Sequence, residues 1–526
     1  MIVPFRTRSK LARHTGRRHP ARGRRTWRRS LWVPVALALV ALFGPGALLA
    51  APASASTALM AAGSSFAWPA VSQWAVDTSK APYNLNVNVT SSSSSDGRFE
   101  FANQTVDFGV TDIQYQPYPF DTESPSFPFI YVPITAGGLA FMYHINGLSG
   151  TLQLSSYSAC AIFTGAVTNW DDPVIQADNP GVSLPNLPIH PVIRSDLAGT
   201  NYVFQEWCID QQPALWASFV NSPAIRGIQG QVSDLSATSP RSDWPLFPNA
   251  VLSGASSAAA DVVSNPDNNG YITAVETYYA EARGFPVASV KNASGDYTQP
   301  TAVDVASALA YATQLSNGTH QLDFSGIGPH VYNPSTYSYL LVPTTGWDPA
   351  KGAVMSAYVD YSLTLGQHEA PSIGYASLGL SLEQYGVNQM KDLVPGAVTP
   401  TPQEQTAYAC GDLTPPEVQA GQTTPTCGVV NSTAATGVNA TATVSSSTGS
   451  GARGSGSAYG SSAGRSSQTA SEQSGGLQPA DPTVTLSGVA GLAYTGTRPI
   501  PLLAAGAVLM AVGFVARRRL RPRSSP

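Results

Sequence analysis

Between residue 56 and about residue 400 the chain alternates short apolar runs with stretches of helical periodicity. FIYVPI at 129–134 and GLAFMYHI at 138–145 are continuous apolar runs of strand length and read as buried strands. VDVASALAYATQL at 303–315 and MSAYVDYSLTLG at 355–366 have the periodicity of helices. Strand and helix in alternation predict an α/β class. Three segments stand out: AAGSSFAWPA at 61–70, SSSSSDGRFEFANQTVDFGVTD at 91–112 and VIRSDLAGTNYVF at 192–204. Each runs from a strand end through small or hydroxyl residues into a helix start. A helix start leaves backbone N–H groups unpaired and carries partial positive charge, so three of them aimed at one point beside an arginine would hold an oxyanion.

The pattern changes at both ends. Residues 1–29 hold eleven Lys and Arg and no acid, and an apolar run from Leu31 to Ala50 leads to Ala53, Ser54 and Ala55. This order is that of a secretory signal peptide cut after Ala55, with an uncleaved anchor helix as the alternative. Pro45, Gly46 and Pro52 interrupt the run and favour the first reading. Beyond about residue 430 the chain collapses to Ser, Gly, Thr and Ala, a composition that cannot build a core and predicts a disordered tether over 431–491. LAYTG at 492–496 is followed by an apolar stretch from Pro499 to Ala516 and then five arginines, the order of a stop-transfer transmembrane helix with a cytoplasmic basic tail.

Charge narrows the class of ligand. With the eleven N-terminal and five C-terminal basic residues set aside, 12 of the 28 Lys and Arg remain against 32 acids, about −20 overall. Nucleic acid is therefore not an expected partner, because such binding draws its affinity from phosphate neutralisation by Lys and Arg. An anion would have to be captured by local dipoles. Four cysteines in a secreted chain predict two disulfides, and of the three possible pairings Cys160–Cys208 with Cys410–Cys427 is preferred. Loops of those lengths would contribute roughly 3 to 4 kcal/mol each in the chain-entropy model. No CxxC or CxxH spacing occurs, so no structural zinc is expected; a cofactor is not expected either.

At the residue level the region from about 58 to 395 resembles the phosphate-binding receptors of ABC importers. The family's GAGxTF opening appears as Ala62, Gly63, Ser64, Ser65, Phe66, and its GSSGG turn as Ser93, Ser94, Ser95, Asp96, Gly97. Its VDFGxSD appears as Val106, Asp107, Phe108, Gly109, Val110, Thr111, Asp112. IFTGAVTNWDDP at 162–173 is similar to its IFxGxIxxWxDP, and GYI at 270–272 to its GAIGY. The resemblance implies a type 2 periplasmic-binding-protein fold, two α/β lobes around a ligand cleft. Lobe I would comprise 56–143 and 337–400 and lobe II 144–336, followed by a Pro-rich transition with a disulfide loop at 401–430. LAYTG likewise resembles the LAxTG variant of Gram-positive sorting signals within 492–526. That likeness implies recognition through Leu492, cleavage between Thr495 and Gly496 by sortase, and linkage to peptidoglycan at the cell surface; a plain membrane anchor is the other reading.

Carried over position by position, the resemblance implies a phosphate site of Ser65, Phe66, Ser94, Asp112, Arg194, Asp196, Ala198, Gly199 and Thr200. Ser65 would supply a hydroxyl and Phe66 a backbone N–H at the first helix start, and Ser94 a hydroxyl at the second, although a serine in such a place is most often only an N-cap. Asp112 is diagnostic, since a carboxylate beside an anion is repulsive unless the ligand has a proton to donate, as hydrogen phosphate has and sulfate lacks. Arg194 would give charge-assisted hydrogen bonds, with Asp196 holding the guanidinium from the side. Where the family has Arg, x, Asp, Gly, Ser, Gly, Thr, this chain has Leu197 and Ala198 in place of a glycine and a ligand serine. With the Ala198 N–H still aimed at the ligand, the expected loss is roughly 1 to 2 kcal/mol, or a change to another protonated oxyanion.

The implied activity is binding, with delivery to a two-subunit permease and its ATPase, and no chemistry. A secreted phosphoesterase would lack apparatus: there is no HExxH or GxSxG, and His144, His190, His320, His330 and His368 are scattered. The third reading is a wall-anchored adhesion scaffold with a decayed anion site, motivated by Ala198 and the sorting signal.

Overall fold

The structure is a computed structural model describing residues 57–116, 124–232, 234–409 and 411–424. The expected signal peptide, Cys410 and Cys427, the expected tether and the segment with Leu492, Thr495 and Gly496 lie outside the described residues. Among the described residues no helix is long and apolar enough to cross a membrane.

Eight strands form one sheet: β1 (Ala58–Ser64), β2 (Asn86–Ser92), β3 (Phe108–Thr111), β4 (Phe129–His144), β5 (His190–Arg194), β6 (Val251–Ser253), β7 (Tyr271–Glu276) and β8 (Ser335–Pro343). Their spatial order is β2-β1-β3-β8-β4-β7-β5-β6. β1 is parallel to β2 and β3, and β5 is parallel to β6 and β7, while β4 and β8 run antiparallel between the two trios. The helices used below are α1 (Trp68–Thr78), α2 (Ser94–Ala102), α3 (Ser156–Phe163), α4 (Gly199–Gln211), α5 (Ser256–Ser264), α6 (Thr277–Glu281), α7 (Ala302–Leu309) and α8 (Pro349–Ser362).

The two apolar runs at 129–134 and 138–145 are one strand, not two. β4 pairs with β8 from Phe129 to Gly138 and with β7 from Leu139 to His144, so the exchange of partners lies at Gly138/Leu139 and the return at Ser335. Glycines are needed there because a Cβ on Gly137 would lie 2.8 Å from the Phe66 ring, and one on Gly138 would meet Pro300 and Val305 at 2.9 Å. Two helices also differ from their expected spans. The periodicity at 303–315 ends as helix at Leu309, because Thr313–Gln314 pairs with His320–Gln321 across a turn through Gly318, whose φ is +90°. The helix expected at 355–366 starts earlier, at Pro349, where the Asp348 carboxylate accepts the Ala350 N–H at 2.8 Å and proline fits the first turn.

One contiguous hydrophobic core runs beside both trios of parallel strands. Beside β1–β3, α1 buries Ala70, Val71 and Trp74, and α8 adds Met355, Tyr358 and Val359. Beside β5–β7, rings of Phe141, Phe163, Phe204, Trp207 and Trp244 pack with centroids 4.8 to 6.3 Å apart, the spacing at which aromatic pairs add to simple burial. The expected Cys160–Cys208 disulfide is present and joins α3 to α4. The transition after residue 400 is packed rather than loose: short helices form at Pro402–Gln405 and Pro415–Gln419, and Val418 is wholly buried with Ala308 and Val331.

Candidate functional site

Strand ends decide where the site is. β1, β3, β5, β6 and β7 terminate at Ser64, Thr111, Arg194, Ser253 and Glu276, and all five of these side chains are buried and polar. A crevice outside the carboxyl ends of parallel strands is the usual ligand position in α/β sheets, because the following helices point their N-termini into it.

On the β1–β3 side the centre is Asp112, 4% exposed. Its carboxylate accepts hydroxyl hydrogens from Ser64 at 2.6 and 2.7 Å, Ser94 at 2.8 Å and Ser338 at 2.7 Å. Burial raises its pKa above the ordinary carboxylate value, opposed by those three hydroxyls and the Arg194 charge. The adjacent serines divide their labour. Ser64 closes the turn before α1, accepting the N–H groups of Phe66 at 3.0 Å and Ala67 at 3.2 Å, while Ser65 reaches across to Ser256 at 3.3 Å. Ser93 caps α2 in a capping box with Asp96, which leaves Ser94 to serve Asp112. The Phe66 N–H, expected to face a ligand, is thus taken by Ser64.

On the β5–β7 side the centre is Arg194, 3% exposed. Its Nε donates to Asp196 Oδ1 at 2.9 Å and its Nη2 pairs with Asp196 Oδ2, so one carboxylate grips the fork from the side. Nη1 is turned inward, donating to Ser256 at 2.8 Å and Thr200 at 3.4 Å. Burial alone would weaken the charge, but Asp196, Glu276 and Asp112 outweigh it and raise the guanidinium pKa. Glu276, fully buried, accepts from Thr200 at 3.1 Å and Ser256 at 3.0 Å through one carboxylate oxygen.

The two sides touch. A Cβ on Gly199 would stand 2.5 Å from Asp112 Oδ2 and 2.6 Å from Ser94 Oγ, so only glycine lets the start of α4 come this close. The Ser95 N–H donates to the Leu197 carbonyl at 3.3 Å, and the Tyr279 hydroxyl donates to the Ser65 carbonyl at 2.8 Å. One expectation fails: the Ala198 N–H donates to the carbonyls of Asp196 and Ser242, both at 2.9 Å, and is unavailable to a ligand. With no hydroxyl at Ala198, α4 also has no side-chain cap.

The sequence profile of the PBP superfamily domain matches residues 50–364, more than half of the chain. This chain belongs to the PBP superfamily. Among its PBP-fold relatives, the phosphate-binding protein PstS of Xylella fastidiosa (strain Temecula1 / ATCC 700964) is 26% identical over 343 residues, 64% of this chain and 86% of that protein. Phosphate-binding protein PstS 3 of Mycobacterium leprae is 26% identical over 300 residues, 56% of this chain and 75% of that one. The solved phosphate-binding protein of Stenotrophomonas maltophilia shares 15% identity at a TM-score of 0.48, covering 66% of this chain and 98% of that one.

Within this PBP domain five polar residues escaped sequence reasoning: Ser64, Ser256, Glu276, Ser338 and Arg98. Ser256 was within reach, since VLSGASSAAADVV repeats the strand, small residue, helix order of the other three segments. Its helix α5 has no side-chain cap, and the preceding Ala255 holds φ +54°, a conformation that a residue with a Cβ rarely adopts and that tends to occur at functional sites. Arg98 is buried behind Asp112, donating to Thr111 at 3.2 Å and Ser95 at 3.0 Å. Among the described residues no group of three His, Cys, Asp or Glu gathers as a metal ion would require.

Proposed function

We propose that this protein is an extracellular receptor for inorganic phosphate that hands its ligand to an ABC-type permease with its ATPase. The observation that carries the reading is the pairing of a buried carboxylate with a buried guanidinium across one crevice: Asp112 held by three hydroxyls, Arg194 presenting Nη1 opposite it. Arg194, Thr200, Ser65 and Ser256 supply donors to the oxygens of the anion, and Asp112, with Ser94 holding it, accepts the single proton of hydrogen phosphate. Fully ionised sulfate has no such proton and would leave two buried lone pairs in contact, a penalty of about 1 to 3 kcal/mol or more. The names of the Xylella and Mycobacterium relatives support the same ligand. No bond is made or broken; the two halves of the sheet close on the ion by hinge motion at the β4 exchange point and open to release it. Retention at the surface through sortase and peptidoglycan, or through a membrane span, rests on residues 492–526 alone.

Calorimetric titration of the protein with phosphate and with sulfate tests the reading. Heat with phosphate and none with sulfate is the expected result. Silence with both would leave a scaffold on a receptor fold, and equal heats would remove the role given to Asp112.

A further inference from the structure

Glu276 is a second buried carboxylate in the crevice, and phosphate recognition as derived above does not use it. Its Oε1 accepts from Thr200 and Ser256, while its Oε2 is buried with no hydrogen-bond partner. Both hydroxyls also accept from the same guanidinium nitrogen, Arg194 Nη1. Any oxygen that binds that nitrogen therefore arrives beside both hydroxyls. A hydroxyl has one hydrogen to donate, so Thr200 and Ser256 can serve Glu276 or the anion but not both. Once they turn to the anion, Glu276 is a fully buried carboxylate that has lost both hydroxyl donors and keeps only its own backbone N–H, next to a second negative charge, a state that proteins avoid by neutralising the group.

Resting on the reading of the site as a phosphate receptor, we propose that Glu276 stands in for the anion in the free protein and takes up one proton from solvent when phosphate binds. The chain of hydrogen bonds then reverses: the protonated carboxyl donates to the oxygen of Ser256 or Thr200, and that hydroxyl donates to the anion. The groups facing Glu276 are consistent with this. Arg194 on β5 favours its ionised form and Asp112 beyond β3 opposes it, with Asp196 reaching it only through Arg194. α4 and α5 contribute only the two hydroxyls, Leu139 opposite it on β4 is uncharged, and the neighbouring phenols of Tyr279 and Tyr375 are held neutral by burial. Burial, opposed by Arg194, pushes Glu276 up to about 7 even before the charge of an anion is added. The group is thus largely ionised above neutral pH without ligand and protonated with it, so affinity falls by about tenfold per pH unit above 7.

The test is titration of the full chain with inorganic phosphate at about pH 8.5 in buffers of different ionisation enthalpy, where free phosphate is already the hydrogen-phosphate dianion. About one proton should be taken up per phosphate by the native protein and none by Glu276→Gln, which should bind about tenfold or more tightly than native at that pH and match it near pH 6. An uptake near zero in the native protein overturns the proposal even if the variant does not fold, and so does an equal uptake in both proteins. Absence of any heat with phosphate in the native protein overturns the receptor reading and this proposal with it.

Discussion

In the half of the crevice built on β1–β3 the Asp112 carboxylate is held by three uncharged hydroxyls, while the buried Arg98 guanidinium is turned to Thr111 and Ser95; in the half built on β5–β7 the Arg194 guanidinium is set between carboxylates. The difference separates two tasks. On the proposed reading, hydroxyls stabilise Asp112 as an anion without cancelling its charge, so it would still reject a ligand that brings no proton. Asp196 and Glu276 balance Arg194, so the second half attracts by directed N–H and O–H groups rather than by net charge. With the basic ends set aside the chain carries about −20, so an anion at this site would be held through dipoles that act over one hydrogen-bond length.

Breaking the capturing half should have the largest effect. Arg194→Ala removes the donor fork and leaves Asp196 and Glu276 without their cation, and phosphate affinity should fall by about 4 kcal/mol, roughly a thousandfold by calorimetry. Arg194→Lys should recover only part of it, because a point charge cannot hold Asp196 through two atoms and still present a nitrogen inward.

Breaking the selecting half should change preference more than strength. In Asp112→Asn the amide can donate to a fully ionised oxygen, and the ratio of phosphate to sulfate affinity should drop by about a hundredfold. Acid should imitate the substitution. Because burial raises the Asp112 pKa, its carboxylate protonates earlier on acidification than an exposed aspartate, and sulfate should begin to bind the native protein as pH falls through that value. Sulfate binding that stays absent in Asp112→Asn would dissolve the distinction between the halves.

The smallest expected effect sharpens the comparison at its boundary. Ala198→Ser restores a hydroxyl at the uncapped start of α4, beside both Arg194 and the crevice. A gain of about fivefold in phosphate affinity is expected, near 1 kcal/mol. No change would mean that the commitment of the residue 198 N–H to Asp196 and Ser242, rather than the missing hydroxyl, sets the strength of this end.

The adjacent serines mark how far sequence reasoning reaches. Ser64 and Ser65, like Ser93 and Ser94, are chemically identical neighbours before a helix, and the pattern says that one caps while the other is free without saying which. The division follows from backbone direction: Ser93 is extended at φ −102°, ψ 164° and turns its hydroxyl back onto Asp96, so Ser94 projects the other way. Ser338 was invisible for another reason. It lies 226 residues from Asp112, within a strand whose apolar pattern reads only as core, and it meets the carboxylate because β8 is laid against β3.

The alternation of strands and helices, the three helix starts of hydroxyl and small residues and the Arg194–Asp196 clamp were all present in local order, because each depends on residues a few positions apart, and the Cys160–Cys208 disulfide was one of three pairings that four cysteines permit. Which groups face one another across the crevice was decided only in three dimensions. Glu276 looks like the last polar residue of a buried strand until β7 lies against β5, and Gly199 looks like an ordinary turn glycine until α4 meets Asp112. Long-range pairing of strands brings those groups within hydrogen-bond distance, and once buried there, an uncompensated charge or a missing donor costs enough to govern what the crevice accepts.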